Sequence, residues 1–511
     1  MIRLFVNATV LTMDASLPVA QALAVKDGRI VEVGGTDEVL WLREDDYELI
    51  DLEGRTVVPG FVDPHNHFSI GAFDTLWADC RGARTVADVQ AALAAAVRDT
   101  PEGAWVRVVG YDHQALGRHP TRGDLDAVVP DRPALVMHFS HHQCVVNSPA
   151  LADAGIARAT PDPPGGEIAR ERSGEPTGLL FERAMSGAET ASRAAWEARF
   201  TDVARAASAR YGALGITAIQ DAAVTPAMAR RYAEARAAGA LGIDVGEVMV
   251  GSRGWFDTPD DAAAGALKIF VDGGYRCAMR VQRDGQPRTS GFLFYTREEL
   301  TARLLAAWRA DRFVVCHAIG NLGIETAVGA IEDAVRAMPD GRARVRIDHA
   351  IFLTTELIAR IADLGIWVVA QPSFLWDRGG AAAPDRPSDP SLLVRPFGTA
   401  LRAGIKQAFS SDFPCGANAP LAGIAAAVTR TSRHGHVVSP DEAISVAAAL
   451  EAYTLGAARA AGVDAVAGSL ESGKRADLLV LSSNPFDCAP KDLASLRVLE
   501  TWVGGERRNP P

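Results

Sequence analysis

From residue 56 to residue 409 the chain alternates short, almost wholly apolar runs with longer Ala-rich stretches of helical character. Eight runs read as strands: Thr56–Val62, Ile216–Gln220, Ile243–Val250, Ala266–Val271, Arg312–Cys316, Ala343–Ile347, Ile366–Ala370 and Ile405–Phe409. A strand covered on both faces is apolar throughout, and strands alternating with helices form parallel sheets, so the rhythm predicts an α/β fold closed as a (β/α)8 TIM-like barrel. Helices are expected between most strands, including Arg297–Arg309, Ile324–Ala337 and Thr354–Asp363.

The ends of the chain read differently. Ala22–Val25 and Ile30–Val33 flank Asp27-Gly28, a pair that favours a tight hairpin. A strand at Asp477–Leu481 and a turn at Val503-Gly504-Gly505-Glu506 repeat that grammar. Residues 1–55 and 466–511 are therefore expected to build one small composite β-sandwich domain, with the barrel spanning 56–465. The gap after the first barrel strand is too long for one crossover and carries strand-like segments at Trp105–Gly110 and Ala134–Phe139. An inserted α/β subdomain is expected over 75–195, with a Pro/Gly-rich loop at Thr160–Glu167.

Composition narrows the functional classes. The 511 residues are 48% hydrophobic and 23% charged, with a formal net charge of −11 and no Lys/Arg block. Nucleic acid is thus not an expected partner. No apolar stretch is long enough to span a bilayer, and the first residues turn polar too soon for a signal peptide, so no membrane partner and a cytoplasmic location are expected. The six cysteines are scattered without a close pair, which argues against disulfides and thiolate zinc sites; Cys316 and Cys415 read as small apolar fillers.

Candidate chemistry stands at the expected C-terminal ends of the strands, where such barrels carry their active sites. His65-Asn66-His67 follows strand one. Side chains two apart on a strand face the same way, so this pair can grip one divalent cation, although alone it fits a hydrogen-bonded or packed role equally well. Strand four contains Lys268 and ends at Asp272; strand five ends at His317, strand six at His349, and strand eight at Ser410-Ser411-Asp412. Four of the eleven histidines and one aspartate would therefore ring one opening. Asp412 read alone fits a helix N-cap, and Lys268 read alone fits a buried partner of Asp272.

The residues that carry a wider likeness are Val58-Pro59-Gly60-Phe61-Val62-Asp63-Pro64-His65-Asn66-His67, His142 with Val146-Asn147-Ser148-Pro149-Ala150-Leu151, and Pro176-Thr177-Gly178-Leu179-Leu180-Phe181-Glu182. Lys268–Gly273, His317–Gly320, Asp348-His349-Ala350, Ser411-Asp412 and the closing Gly468–Leu478 complete the set. Over nearly its whole length the chain resembles the metal-dependent amidohydrolase superfamily, and within it amidohydrolase family 3, the YtcJ-like branch that includes N-substituted formamide deformylases. That resemblance implies a divalent metal, zinc by default. His65 and His67 would hold the more buried ion and His317 and His349 the more exposed one. Lys268, carbamylated by carbon dioxide, would bridge two ions; without the carbamate, one ion remains. Asp412 would ligate the buried ion and serve as general base and acid.

His142 is expected to reach over the opening toward a small-molecule substrate, with Gln371 and Trp376 lining the pocket after strand seven. His141, His113, His119, His138, His434 and His436 carry no such expectation. The chain departs from the usual family text at Asn321, where an aspartate is expected, and at Phe413, where a small residue is commoner; both bear on substrate preference. The implied activity is hydrolysis of a C–N bond in an amide, formamide, carbamate or cyclic amide. The rival readings are a metal-dependent decarboxylase or other lyase, and a non-catalytic scaffold. No glutamate follows His317 until Glu325, which counts against a deaminase. A homodimer is also implied, since dimers are common in the superfamily.

Overall fold

The computed structural model describes residues 1–43, 45–251, 265–282, 288–379, 389 and 391–508. At its centre eight parallel strands lie in chain order: β1 (Phe61–Asn66), β2 (Ile216–Val224), β3 (Asp244–Val250), β4 (Ala266–Phe270), β5 (Val314–Ala318), β6 (Val345–His349), β7 (Trp367–Ala370) and β8 (Lys406–Phe409). The sheet curls into a nearly closed barrel. Its first and last strands meet at the rim, where His65 O accepts from Asp412 N at 3.0 Å and Phe413 O accepts from His67 N at 2.8 Å. The three helices anticipated from sequence are present as Arg297–Arg309, Asn321–Ala337 and Thr355–Leu364. The first opens with a Thr296–Glu299 capping box, and the third ends at Gly365 in the left-handed region, φ 63°.

One expected boundary is corrected. Thr56–Val62 is not a single barrel strand: Thr56–Pro59 pairs antiparallel with Leu478–Leu481 and parallel with Thr9–Leu11, and the barrel strand starts only after Gly60. Every residue from Thr56 to Asn66 is buried, so hydropathy carries no mark of the switch between sheets. Gly60 makes the switch feasible, because a Cβ there would lie 2.1 Å from Thr217 Oγ1 of β2.

Strands from the two ends of the chain form two facing sheets. One holds Ile2–Val6, Ala22–Lys26, Arg29–Gly34 and Tyr47–Asp51; the other joins Thr9–Leu11, Val19–Ala20 and Thr56–Pro59 to Leu478–Leu481, Val498–Val503 and Glu506–Arg507. Phe5, Val10, Leu23, Val57, Leu478 and Trp502 share the core between them, with the Phe5 and Trp502 rings edge-on at 5.0 Å. The predicted hairpin turns at Asp27 and Gly28, both at positive φ. Between β1 and β2 lies a mixed six-stranded sheet ordered Gly166–Arg170, Pro176–Glu182, Gln143–Val146, Ala134–His138, Val106–Tyr111 and Ala78–Asp79. Its loop at His141-His142 reaches the barrel rim.

Candidate metal centre

Local geometry brings the strand-end residues together. His65 is the fifth residue of β1, and His67 caps the helix Phe68–Asp74, so their rings stand 5.2 Å apart on one side of the chain. Asp412 faces both: its Oδ1 lies 3.3 Å from His65 Nε2 and 3.2 Å from His67 Nε2. His349 ends β6 with its ring 4.7 Å from that of His65 and 4.5 Å from that of His317. Donor atoms of His65, His349 and Asp412 all lie within 4.8 Å of one another. The backbone is strained where this happens, with Asp412 at φ 53° and His349 at φ 76°, conformations non-glycine residues adopt only when their surroundings hold them there.

The chemistry of these atoms fits a divalent cation. His349 Nε2 and Asp412 Oδ1 are buried and have no hydrogen-bond partner among the described residues. Lone pairs left unpaired inside a protein are costly, and a mixed imidazole and carboxylate set is one that zinc takes. Burial, reinforced by neighbouring His65, pushes the His349 imidazole down to about 3, and burial likewise holds His317 well below the usual range. Both stay neutral, the form that ligates a metal. Burial opposes ionisation of Asp412, but His65 and His67 outweigh it and keep the carboxyl well below the usual range.

Lys268 is fully buried on β4, and its partner is not the one expected. Its Nζ lies 3.2 Å from Asp348 Oδ2 and 3.4 Å from His65 Nδ1, beneath the cluster. Asp272 lies beyond the end of β4, where its carboxylate accepts from Ile319 N at 2.9 Å, Gly320 N at 2.8 Å and Met279 N at 3.0 Å. Burial nonetheless pushes Asp272 up to about 7. It stands 3.8 Å from His317 Nε2 and ties the loops after β4 and β5 together.

His142 sits at the rim, its ring 6.0 Å from that of His317. Both carboxylate oxygens of Glu182 lie 3.0 Å from its Nδ1, and Glu182 in turn accepts from Gly274 N at 2.9 Å. Glu182 carries the strained backbone pair φ 48°, ψ −125°. His141, next in line, turns inward to Asp74 at 3.2 Å. Gln371 is buried rather than presented to a pocket. Its Oε1 pairs with His349 Nδ1 at 2.9 Å, while its Nε2 donates to Val369 O at 3.1 Å and Ser410 Oγ at 3.0 Å, so the amide orients the His349 ring. Trp376 is half-buried on the helix Pro372–Arg378 after β7. Phe413 is half-buried and packs against Gly71 and Tyr211.

Several supporting residues escaped the sequence reading. Asp63 accepts from Ser411 Oγ at 2.5 Å, Asn66 Nδ2 at 2.8 Å and Ser411 N at 3.1 Å, stitching β1 to the end of β8. Asp221 of β2 accepts from Ser69 N at 2.9 Å and Tyr232 Oη at 2.5 Å, fixing the helix that His67 caps. A second cluster, Asp112, His113 and His138, also gathers donor atoms, at the inserted sheet rather than the barrel mouth. Arg276 donates to His113 Nε2 at 2.9 Å, His113 Nδ1 lies 3.0 Å from His138 Nε2, and His138 Nδ1 accepts from Ser140 N at 3.1 Å.

Comparisons with known proteins agree with this geometry. A profile of the amidohydrolase family matches residues 48–508. The N-substituted formamide deformylase of Arthrobacter pascens is 36% identical over 99% of this chain and 98% of its own length. The putative amidohydrolase YtcJ of Bacillus subtilis strain 168 is 30% identical over 95% of each. An uncharacterized metal-dependent hydrolase from Pyrococcus horikoshii OT3 superposes with a TM-score of 0.75 at 23% identity, covering 96% of this chain and 99% of that one. With a family profile over residues 48–508 and relatives matched over their full length, the chain belongs to the amidohydrolase family.

Proposed function

We propose that this protein is a metal-dependent hydrolase that cleaves the C–N bond of a small amide, with N-substituted formamides the favoured class. The observation that carries the reading is the convergence of His65, His67, His349 and Asp412 around buried, unpaired donor atoms at the mouth of the barrel. The formamide preference is supported by the full-length likeness to a deformylase.

His65, His67 and Asp412 would hold the buried ion, with His349 and His317 completing the ring. A divalent cation bound there supplies Lewis acidity and brings the acidity of water toward neutral pH. Asp412 accepts the proton of the attacking water and passes it to the nitrogen as the C–N bond breaks, so that an N-substituted formamide and water become formate and an amine. His142, held by Glu182 at the rim, would meet the substrate's amide group, and Trp376 would contribute to the wall. A second ion would require Lys268 to exchange its contact with Asp348 for a carbamate. Incubation of the zinc-loaded protein with N-alkyl formamides and the matching acetamides tests the reading: amine and formate release is expected. Carbon dioxide release from carboxylated analogues would point to a lyase instead, and a chain that takes up no metal would be a scaffold.

A further inference from the structure

We propose that Asp348, locked in place by Arg346, is the positioning residue that makes His65 a metal ligand; the inference rests on the metal reading above. The two side chains are fully buried and belong to β6. Arg346 distributes its donors over four elements: Nε to Asp348 Oδ1 at 2.9 Å, one terminal nitrogen to Gln220 Oε1 of β2 at 2.6 Å and to Ala460 O of the helix Leu455–Ala461 at 2.8 Å, the other to Pro64 O of β1 at 2.6 Å. Asp348 is thereby fixed relative to the strand that bears His65. Its other oxygen, Oδ2, lies 2.5 Å from His65 Nδ1.

A carboxylate can only accept here, so the imidazole's proton is held on Nδ1 and the lone pair on Nε2 points to Asp412, 3.3 Å away. The same oxygen takes Lys268 Nζ at 3.2 Å. One carboxylate therefore sets the ring orientation of one predicted ligand and anchors the side chain of another. A buried Arg–Asp pair is weak evidence for stability, since apolar residues of similar volume often do as well. Orienting a ligand gives this pair a role that an apolar replacement lacks.

The test is zinc affinity, measured by competition with a chromophoric chelator, in the wild-type chain and in D348N, R346K, H65A and the H65A/D348N double variant, with circular dichroism to verify folding. D348N is expected to weaken zinc binding about ten- to hundredfold. R346K, which loosens the carboxylate without removing it, should lose affinity in the same direction by less. In the H65A background, D348N should cost clearly less than in the wild-type chain, because the ligand it orients is gone and only the contact with Lys268 remains. Wild-type affinity in D348N, or an equal loss with and without His65, overturns the proposal. If D348N does not fold, R346K on the two backgrounds decides the matter by the same criterion. A wild-type chain that binds no zinc overturns the metal reading together with this one, whereas zinc binding that is indifferent to Asp348 overturns this one alone.

Discussion

Replacing Gly274 with alanine probes the rim of the site with a single methyl group. Gly274 does not occupy the left-handed region, so alanine meets no backbone penalty there. Its Cβ, however, would lie 2.3 Å from Cγ, 2.4 Å from Cδ2 and 2.6 Å from Nδ1 of His142. Relief to ordinary van der Waals separation moves the imidazole by about 1 Å, a displacement that can cost about a hundredfold in rate. The same shift stretches the 3.0 Å contact with Glu182 beyond hydrogen-bonding range. Overpacking adds a stability cost of about 1–3 kcal/mol. Steady-state kinetics on a cleaved formamide should show kcat/KM falling by about two orders of magnitude, with zinc content unchanged. In an H142A background the same substitution should do little more. A kcat/KM for G274A within twofold of wild type, or an undiminished loss when His142 is already absent, would refute the placement of His142 in the reaction.

Asp412→Asn should lower kcat by at least about a hundredfold with a smaller effect on KM, read by the same assay on folded, metal-loaded protein, because the amide cannot take the proton of water. Dialysis against a strong chelator should abolish turnover and zinc should restore it, with a higher melting temperature as zinc concentration rises above its dissociation constant. Glu189, paired with buried Arg107 at 2.7 Å, has its carboxyl lowered to about 2; burial opposes the shift, and Arg107 followed by Arg193 outweighs it. A carboxyl lowered from 4.5 stabilises the fold fully above that value and loses its contribution as pH falls toward 2, about 3 kcal/mol in all. The urea midpoints of wild type and Glu189→Gln should therefore draw together between pH 5 and pH 3. Gly60→Ala, which drives a Cβ to 2.1 Å from Thr217 Oγ1, should cost about 1–3 kcal/mol in a denaturation curve.

The barrel was legible because parallel strands covered on both faces leave continuous apolar runs: seven of the eight runs correspond to strands of the central sheet, and the first runs on into its opening strand. The same property hid the junction at Gly60: a chain buried on every side keeps its hydropathy when it passes from one sheet to another. Candidate ligands were legible for a related reason. His65, His317 and His349 end or nearly end apolar runs, and their rings converge because a closed barrel puts all strand ends at one mouth. Their supports were not. Nothing near Lys268 announces Asp348 as its partner, and Gln371 reads as a pocket residue until His349 is seen beside it.

By itself, then, the amino-acid sequence determined the strand count, the parallel closure and the side chains available at the barrel mouth, because periodicity and residue type are local properties. Only the tertiary structure decided which atom of each side chain is spent on support and which is left for chemistry. His65 meets a carboxylate 283 residues away, and His142 is held by a glutamate 40 residues on. Hydrogen-bond partners are chosen by distances of about 3 Å in space, and sequence separation does not encode them.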